Sequence, residues 1–458
     1  MSIQQNFPAI SPSLNLNFAR SKTLDPRITF SRTSTATRVN EQGLVETVGA
    51  DMPRFDHEYD ASTGVIKSLG LLIEDSRTNL KPYSEELQSD LGRARISISQ
   101  NEVISPSGVQ NADGIIASSN SEGDTNVYTH YGDKVLTSTS GITASQNICC
   151  SAFFKKGVGR DVWFQIYEES GNAYHGVQFN FETETLTFKN SNEYTTGGGV
   201  TTEYDFIKYP NGWYRLWIAG YPNTTTTGRR YRIRLTDELG NLTFIGDGTS
   251  SYLYAWGLQI EIGSFVSSYI PTDNTPGGKT RNPDNVSMTG DNLFSWFNTE
   301  EGTVYAHTKI NGVKIPSYER LWCFTNETNI NLDGYGFYVS ANAPTDGRYA
   351  LAGSINSADP PITSIYSTGG IITSPPFTVF NNPEVRSCFG FKLGNNSNVA
   401  IDGFLPSPSG TTITDFPVVD RFLIGQPQRF QKHSFMTVSQ LTYYPRRLTD
   451  DQLVSLTK

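Results

Sequence analysis

Cysteine is scarce: four residues in 458, two of them adjacent at Cys149 and Cys150. That excludes a disulfide framework, and no CxxC or Cys/His spacing suits zinc, so reduced, packed thiols are expected. On a strand the adjacent pair would point to opposite faces. Charged residues are also few, at 18%, and their balance is −9. Phosphate neutralisation needs clustered Lys and Arg, so no nucleic-acid partner is expected. Long apolar runs are missing, and none approaches the roughly 20 residues that span a bilayer, so no membrane insertion is expected. The stretch up to Ala19 lacks a basic region followed by an apolar core, and no secretory signal is expected.

Catalytic signatures are wanting as well. No G-x-S-x-G elbow occurs, and His57, His130, His175, His307 and His433 lie in unrelated contexts. The glycine run around Gly197 has no following Lys-Ser/Thr and reads as a hairpin tip. Neighbouring carboxylates do exist, at Glu168 and Glu169, Glu182 and Glu184, Glu300 and Glu301, and Asp450 and Asp451. Each sits at a turn, on a polar strand face or in a first helical turn, where solvated acids belong. A glycosidase pair is therefore not expected from them, nor is there a run of β-helix repeats. The chain is expected not to be an enzyme.

What the chain has in quantity is Tyr (23) and Phe (26), with many Ser, Thr and Asn, in short alternating runs between turns. The fold class expected is mainly β. A small irregular N-terminal segment (1–85) is followed by two antiparallel, jelly-roll-like β-sandwich domains (86–272 and 291–458). A linker rich in Pro, Gly, Asn and Asp (273–290) separates them, and a short helix ends the chain. For that helix Thr449 is the N-cap and Gln452 completes a capping box, with Leu448 and Leu453 placed as a hydrophobic staple.

Sugar sites stack aromatic faces on pyranose rings and bond the hydroxyls with amides, acids or Arg. Period-two alternation puts Trp163, Gln165 and Tyr167 on one face of a strand, opposite Val162, Phe164 and Ile166. It does the same for Trp213, Arg215 and Trp217, opposite Tyr214, Leu216 and Ile218. These six residues are the candidate carbohydrate site, each triplet being either a platform or a second packed surface. A third stripe, Arg230, Arg232 and Arg234, could meet acidic polysaccharide or a neighbouring subunit, or simply face solvent. In Ser251–Ile262, alternation assigns Tyr252, Tyr254, Trp256, Leu258, Ile260 and Ile262 to the core and leaves Glu261 on the polar face. No cofactor is required by these patterns. Ca²⁺ is conceivable at loop residues Asp247, Asp402 and Asn396, although turn chemistry explains them equally.

Several segments resemble a known group. DPRITFSRTSTATRVNEQGLVETVGADMPRFDHE, followed by GLLIEDSRTNL and YSEEL, resembles the N-terminal part of virion appendage or tail fibre proteins of tailed phages of marine bacteria and cyanobacteria. Asn211-Gly212-Trp213-Tyr214-Arg215 and GDGTSSYLYAWGLQIEIGSFVSSYIPT resemble the carbohydrate-binding-like jelly roll of those proteins. SWFNTEEGTVYAHTKI and VSQLTYYPRRLTDDQLVSLT resemble a concanavalin/laminin-G-like sandwich. The resemblance implies location on a virion and attachment to other virion proteins through residues 1–85. It further implies a homotrimer and contact with a host cell-surface glycan. Arg27, Arg32, Arg38, Arg54 and Arg77 would then serve docking, or else pair locally in a lid folded onto the middle sandwich. Purely structural decoration and polysaccharide degradation are the alternatives to adhesion.

Overall fold

The structure, a computed structural model, describes residues 8–135, 147–168, 173–190, 203–220, 229–275, 277–312, 318–326, 336–342, 350–356, 384–405, 411–412, 418–426 and 434–458. The expected hairpin tip around Gly197, together with Glu169 and His433, lies outside them. The fold is mainly β, with antiparallel sheets and one short C-terminal helix, as the alternation implied.

Two six-stranded sheets form the middle sandwich. In one the order is Thr185–Asn190, Ala173–Asn180, Asp161–Glu168, Arg229–Leu235, Tyr131–Val135 and Gly92–Ala94. Its inner face (Val162, Phe164, Ile166, Val177, Tyr231, Ile233) packs on Cys150, Phe154, Leu216, Ile218 and Leu253 of the other. That second sheet runs Glu203–Lys208, Trp213–Gly220, Ile148–Lys156, Ser251–Ile262, Gln110–Ala117, Ile96–Ile104. Its outer face is itself covered, by the segment after Ile262 and by N-terminal residues. We call the two the open and the covered sheet. Cys149 and Cys150 do divide between faces: Cys150 joins the sandwich core, Cys149 packs with Trp217, Phe265 and Phe435, and all four cysteines are free and buried.

Strict alternation fails twice in Ser251–Ile262, first at Tyr252, where the register against Gln110–Ala117 slips and Tyr252 and Leu253 both join the core. Gly257 adopts φ +63, and the register against Ile148–Lys156 slips between Ser151 and Phe153. Between the two slips Tyr254 and Trp256, both expected in the core, lie on the outer side with Phe153 and Tyr269; beyond the second Leu258 and Ile260 are in the core, while Ile262, also expected there, is exposed. A Cβ at Gly257 would lie 2.8 Å from the Phe153 ring, so glycine is needed for both conformation and space. Glu261, assigned to the polar face of this strand, is fully buried there; the Ser267 N–H (2.8 Å) and hydroxyl (2.7 Å) and the Gln259 amide (3.0 Å) all donate to it.

The expected partition differs most at the N-terminus. Leu14–Asn17, Arg54–Asp60 and Val65–Ile73 are not a separate anchor but strands of the C-terminal sandwich. Phe435–Tyr444 pairs with Leu14–Asn17, Glu301–Gly312 and Val65–Ile73. Thr29–Ser31 borders the opposing sheet through Asn285–Thr289, which lies inside the expected linker. Leu14, Leu16, Phe18, Leu71 and Ile73 thus share one core with Trp296, Trp322, Phe324 and Tyr443. The strands were overlooked because each is too short to complete a core with its sequence neighbours. The Thr449 capping box is present, and Leu448 and Leu453 are buried.

The N-terminal arginines are spent within the chain. Arg32 and Arg54 both bond Asp284, Arg54 and Arg281 both bond Glu74 (2.7 and 3.0 Å), and every member is at least 97% buried. Burial alone would raise the Glu74 carboxyl, but Arg281 and Arg54 hold it down at about 2. Arg77 packs between Phe265 and Phe435, Arg27 pairs with Asp25, and Arg38 with Glu46.

Candidate functional site

The open sheet gathers one half of the expected site and the arginine stripe on a single outer face. Its register sets three cross-strand rows. The first is Thr187, Gln178, Trp163, Arg234, Tyr131; the second is Lys189, Gly176, Gln165, Arg232, Asp133; the third is Tyr174, Tyr167, Arg230. Trp163, Tyr167, Tyr131 and Tyr174 are each half-buried. The Arg232 guanidinium lies between two of them, 3.7 Å from the Tyr167 ring centroid and 4.2 Å from that of Tyr131. Asp133 pairs with Arg232 at 2.8 Å and Arg230 at 3.3 Å. Gln165 is packed across Gly176, where a Cβ would meet its Cγ at 2.7 Å. Tyr131, Asp133, Tyr174 and Gln178 were missed in the sequence. Their only signal was alternation in strands whose neighbours in space are far away in sequence.

The other half of the expected site needs correction. Trp213, Arg215 and Trp217 belong to the covered sheet and are 1%, 3% and 7% exposed, so they form no open platform. The Trp213 indole donates to the Ile104 carbonyl (3.1 Å), and Arg215 donates to the Ser267 carbonyl (2.9 Å) and the Ser151 hydroxyl (3.0 Å). Alternation is identical on strands buried on one face and on both, so it could not tell the triplets apart.

Arg215 and Trp217 do line a cavity of about 200 Å³ between the covered sheet and the N-terminal strands, with Asp56, Asp205, Tyr209 and Lys309. Burial pushes the Asp56 carboxyl up to about 6, only partly offset by the Val39 N–H that donates to it at 2.7 Å. Burial likewise raises Asp205 and the Tyr209 phenol, the latter with Asp56 nearby. Such a carboxyl can hold or release a proton near neutral pH. Its ionisation also opposes folding: the unfolded value is about 3.9, so stability should fall as pH rises from about 4 to 6. Asp56→Asn keeps an acceptor for Val39 and should remove that slope, a gain of up to about 3 kcal/mol at pH 7. Urea unfolding of both proteins at pH 4 and 7 measures it, and a difference that does not change with pH would contradict the assignment.

The neighbouring carboxylates have structural employment: Glu182 with Lys156, Glu184 with Lys208 and Tyr214, Glu301 with Lys392, Asp450 with Arg447 and Asn398. Asp247 accepts the Thr249 and Ser250 N–H groups, and Asp402 that of Arg386. Among the described residues no three His, Cys, Asp or Glu side chains converge as a metal would require, and the Asn396 side chain lies outside that set.

No family model matches the chain, and no curated protein does. Similar solved structures include a Trypanosoma rangeli sialidase in complex with sialic acid, at 12% identity and TM-score 0.27, over 98% of this chain and 97% of that one. Domains LG4-5 of the mouse laminin alpha1 chain are similar at 8% identity and TM-score 0.20, over 83% and 92%. An engineered GH43 glycoside hydrolase is similar at 8% identity and TM-score 0.23, over 94% and 100%. The expectation of a chain without enzymatic activity is corrected by these neighbours, since sialidases and a glycoside hydrolase stand among them, although scores this low assign no activity. None of the three is a phage protein.

Proposed function

We propose that the chain recognises glycans through the outer face of its open sheet. The observation that carries this reading is the three-row array of half-buried aromatics interleaved with guanidinium and amide groups. Aromatic faces suit the apolar side of a pyranose, and the interleaved groups suit its hydroxyls. The segments resembling phage appendage proteins support a finer reading, adhesion of a virion to a host-surface glycan.

The test uses the full chain, because N-terminal strands complete the C-terminal sandwich. Trp163→Ala should raise the Kd for a bound glycan roughly thirtyfold, about 2 kcal/mol, with the unfolding midpoint little changed. Trp217→Ala should instead destabilise the fold. A glycan array followed by calorimetry measures the first effect. Binding that survives Trp163→Ala at full strength would rule out this face, and release of reducing sugar from the bound glycan would turn the reading towards hydrolysis.

A further inference from the structure

We propose that the open face selects glycans bearing a carboxylate, and that Arg234 is the residue that reads it. This rests on the glycan-binding reading above and adds the ligand's charge and the residue that senses it. The chain as a whole is acidic, at −9, yet the three rows carry Arg230, Arg232, Arg234 and Lys189 against a single carboxylate, Asp133. Asp133 is already occupied: it bonds Arg232 through Nε (3.1 Å) and Nη2 (2.8 Å) and Arg230 through Nη1. Asp161, one step along the strand from Trp163, is taken by Arg160 and the Gln178 amide.

Arg234 is left over. It is half-buried, lies 5.8 Å from the Trp163 ring centroid, and has no hydrogen bond or ion pair among the described residues. Burial, and then the positive charge of Arg232, both disfavour its ionised form. A partly desolvated guanidinium without an anion is costly, and a ligand carboxylate would remove that cost. The planar fork of Arg matches a carboxylate in two parallel hydrogen bonds. Trp163 sits beside it in the same row, and the Lys189 ammonium lies 5.6 Å from the same ring. A sugar seated on Trp163 would therefore carry its acid group into a positive surround.

The experiment is an array of uronate- and nonulosonate-containing glycans, each beside its carboxyl-reduced form and a sulfated neutral glycan, probed with the full chain. Binding should drop at least tenfold on carboxyl reduction. Arg234→Gln should abolish that difference, the acidic form losing at least tenfold more than the reduced form, and Arg234→Lys should restore only part of it. Melting of each variant confirms folding, and Arg234→Lys serves alone should the Gln variant fail to fold. Equal binding of acidic and reduced forms would overturn the carboxylate proposal and leave glycan recognition standing. Preference for the sulfated glycan would overturn it in favour of a sulfate ester. Binding to none of the glycans would remove the underlying reading as well.

Discussion

Asp284→Ala should cost about 3–5 kcal/mol of unfolding free energy, the magnitude expected when one partner of a buried ion network is removed. Asp284 is fully buried, and its two oxygens serve the Arg32 and Arg54 guanidinium groups and the Glu74 backbone N–H (3.0 Å). Without it three guanidinium groups, those of Arg32, Arg54 and Arg281, are left with Glu74 as the network's one carboxylate. Asp284→Asn keeps the shape and one acceptor and should cost less. Urea unfolding with an unchanged m-value is the measurement. A loss below about 1 kcal/mol would mean that the network contributes little net stability, as some buried ion pairs do.

Gly70→Ala should be comparably severe, on the order of 3 kcal/mol or more, because two costs add. Gly70 has φ +99, and an added Cβ would lie 2.1 Å from the Val438 carbonyl oxygen. Strain at such a φ is roughly 1–3 kcal/mol, and the two strands must also part, loosening ladder hydrogen bonds worth about 1 kcal/mol each. Gly64→Ala separates the two causes. Gly64 has φ +73, but its nearest neighbour would be 4.0 Å away, so that variant should lose only the strain. Equal costs at both positions would show that the close approach to Val438 does not matter.

Local patterns were legible where one strand and its own alternation decide the outcome. The Trp163, Gln165, Tyr167 face, the opposed cysteines and the Thr449 cap were all readable that way. What was not legible depends on which surface lies across a gap. Trp217 and Trp163 have equivalent settings in sequence, yet only Trp217 is roofed, by Phe265 and Phe435. Register slips at Tyr252 and Gly257 put Tyr254 and Trp256 on the outer side and return Leu258 and Ile260 to the core, because each slip shifts the parity of the residues beyond it. Whether Arg32 and Arg54 dock or pair within the chain was not legible, since their partner, Asp284, lies more than two hundred positions further on.

The placement of Phe435–Tyr444 has a consequence for the order of events during synthesis. Both six-stranded sheets of the middle sandwich are drawn from residues between Gly92 and Ile262, so that unit can close while the ribosome is still translating. Leu14–Asn17 and Val65–Ile73 are made before that unit but are completed after it, since their partner strand Phe435–Tyr444 follows it in the sequence. Until it emerges, the apolar run Leu69–Ile73 stays without that neighbour, a nascent-chain state prone to mispairing. Synthesis of Phe435–Tyr444, rather than docking of finished domains, is then the step that locks these early strands into the C-terminal sandwich.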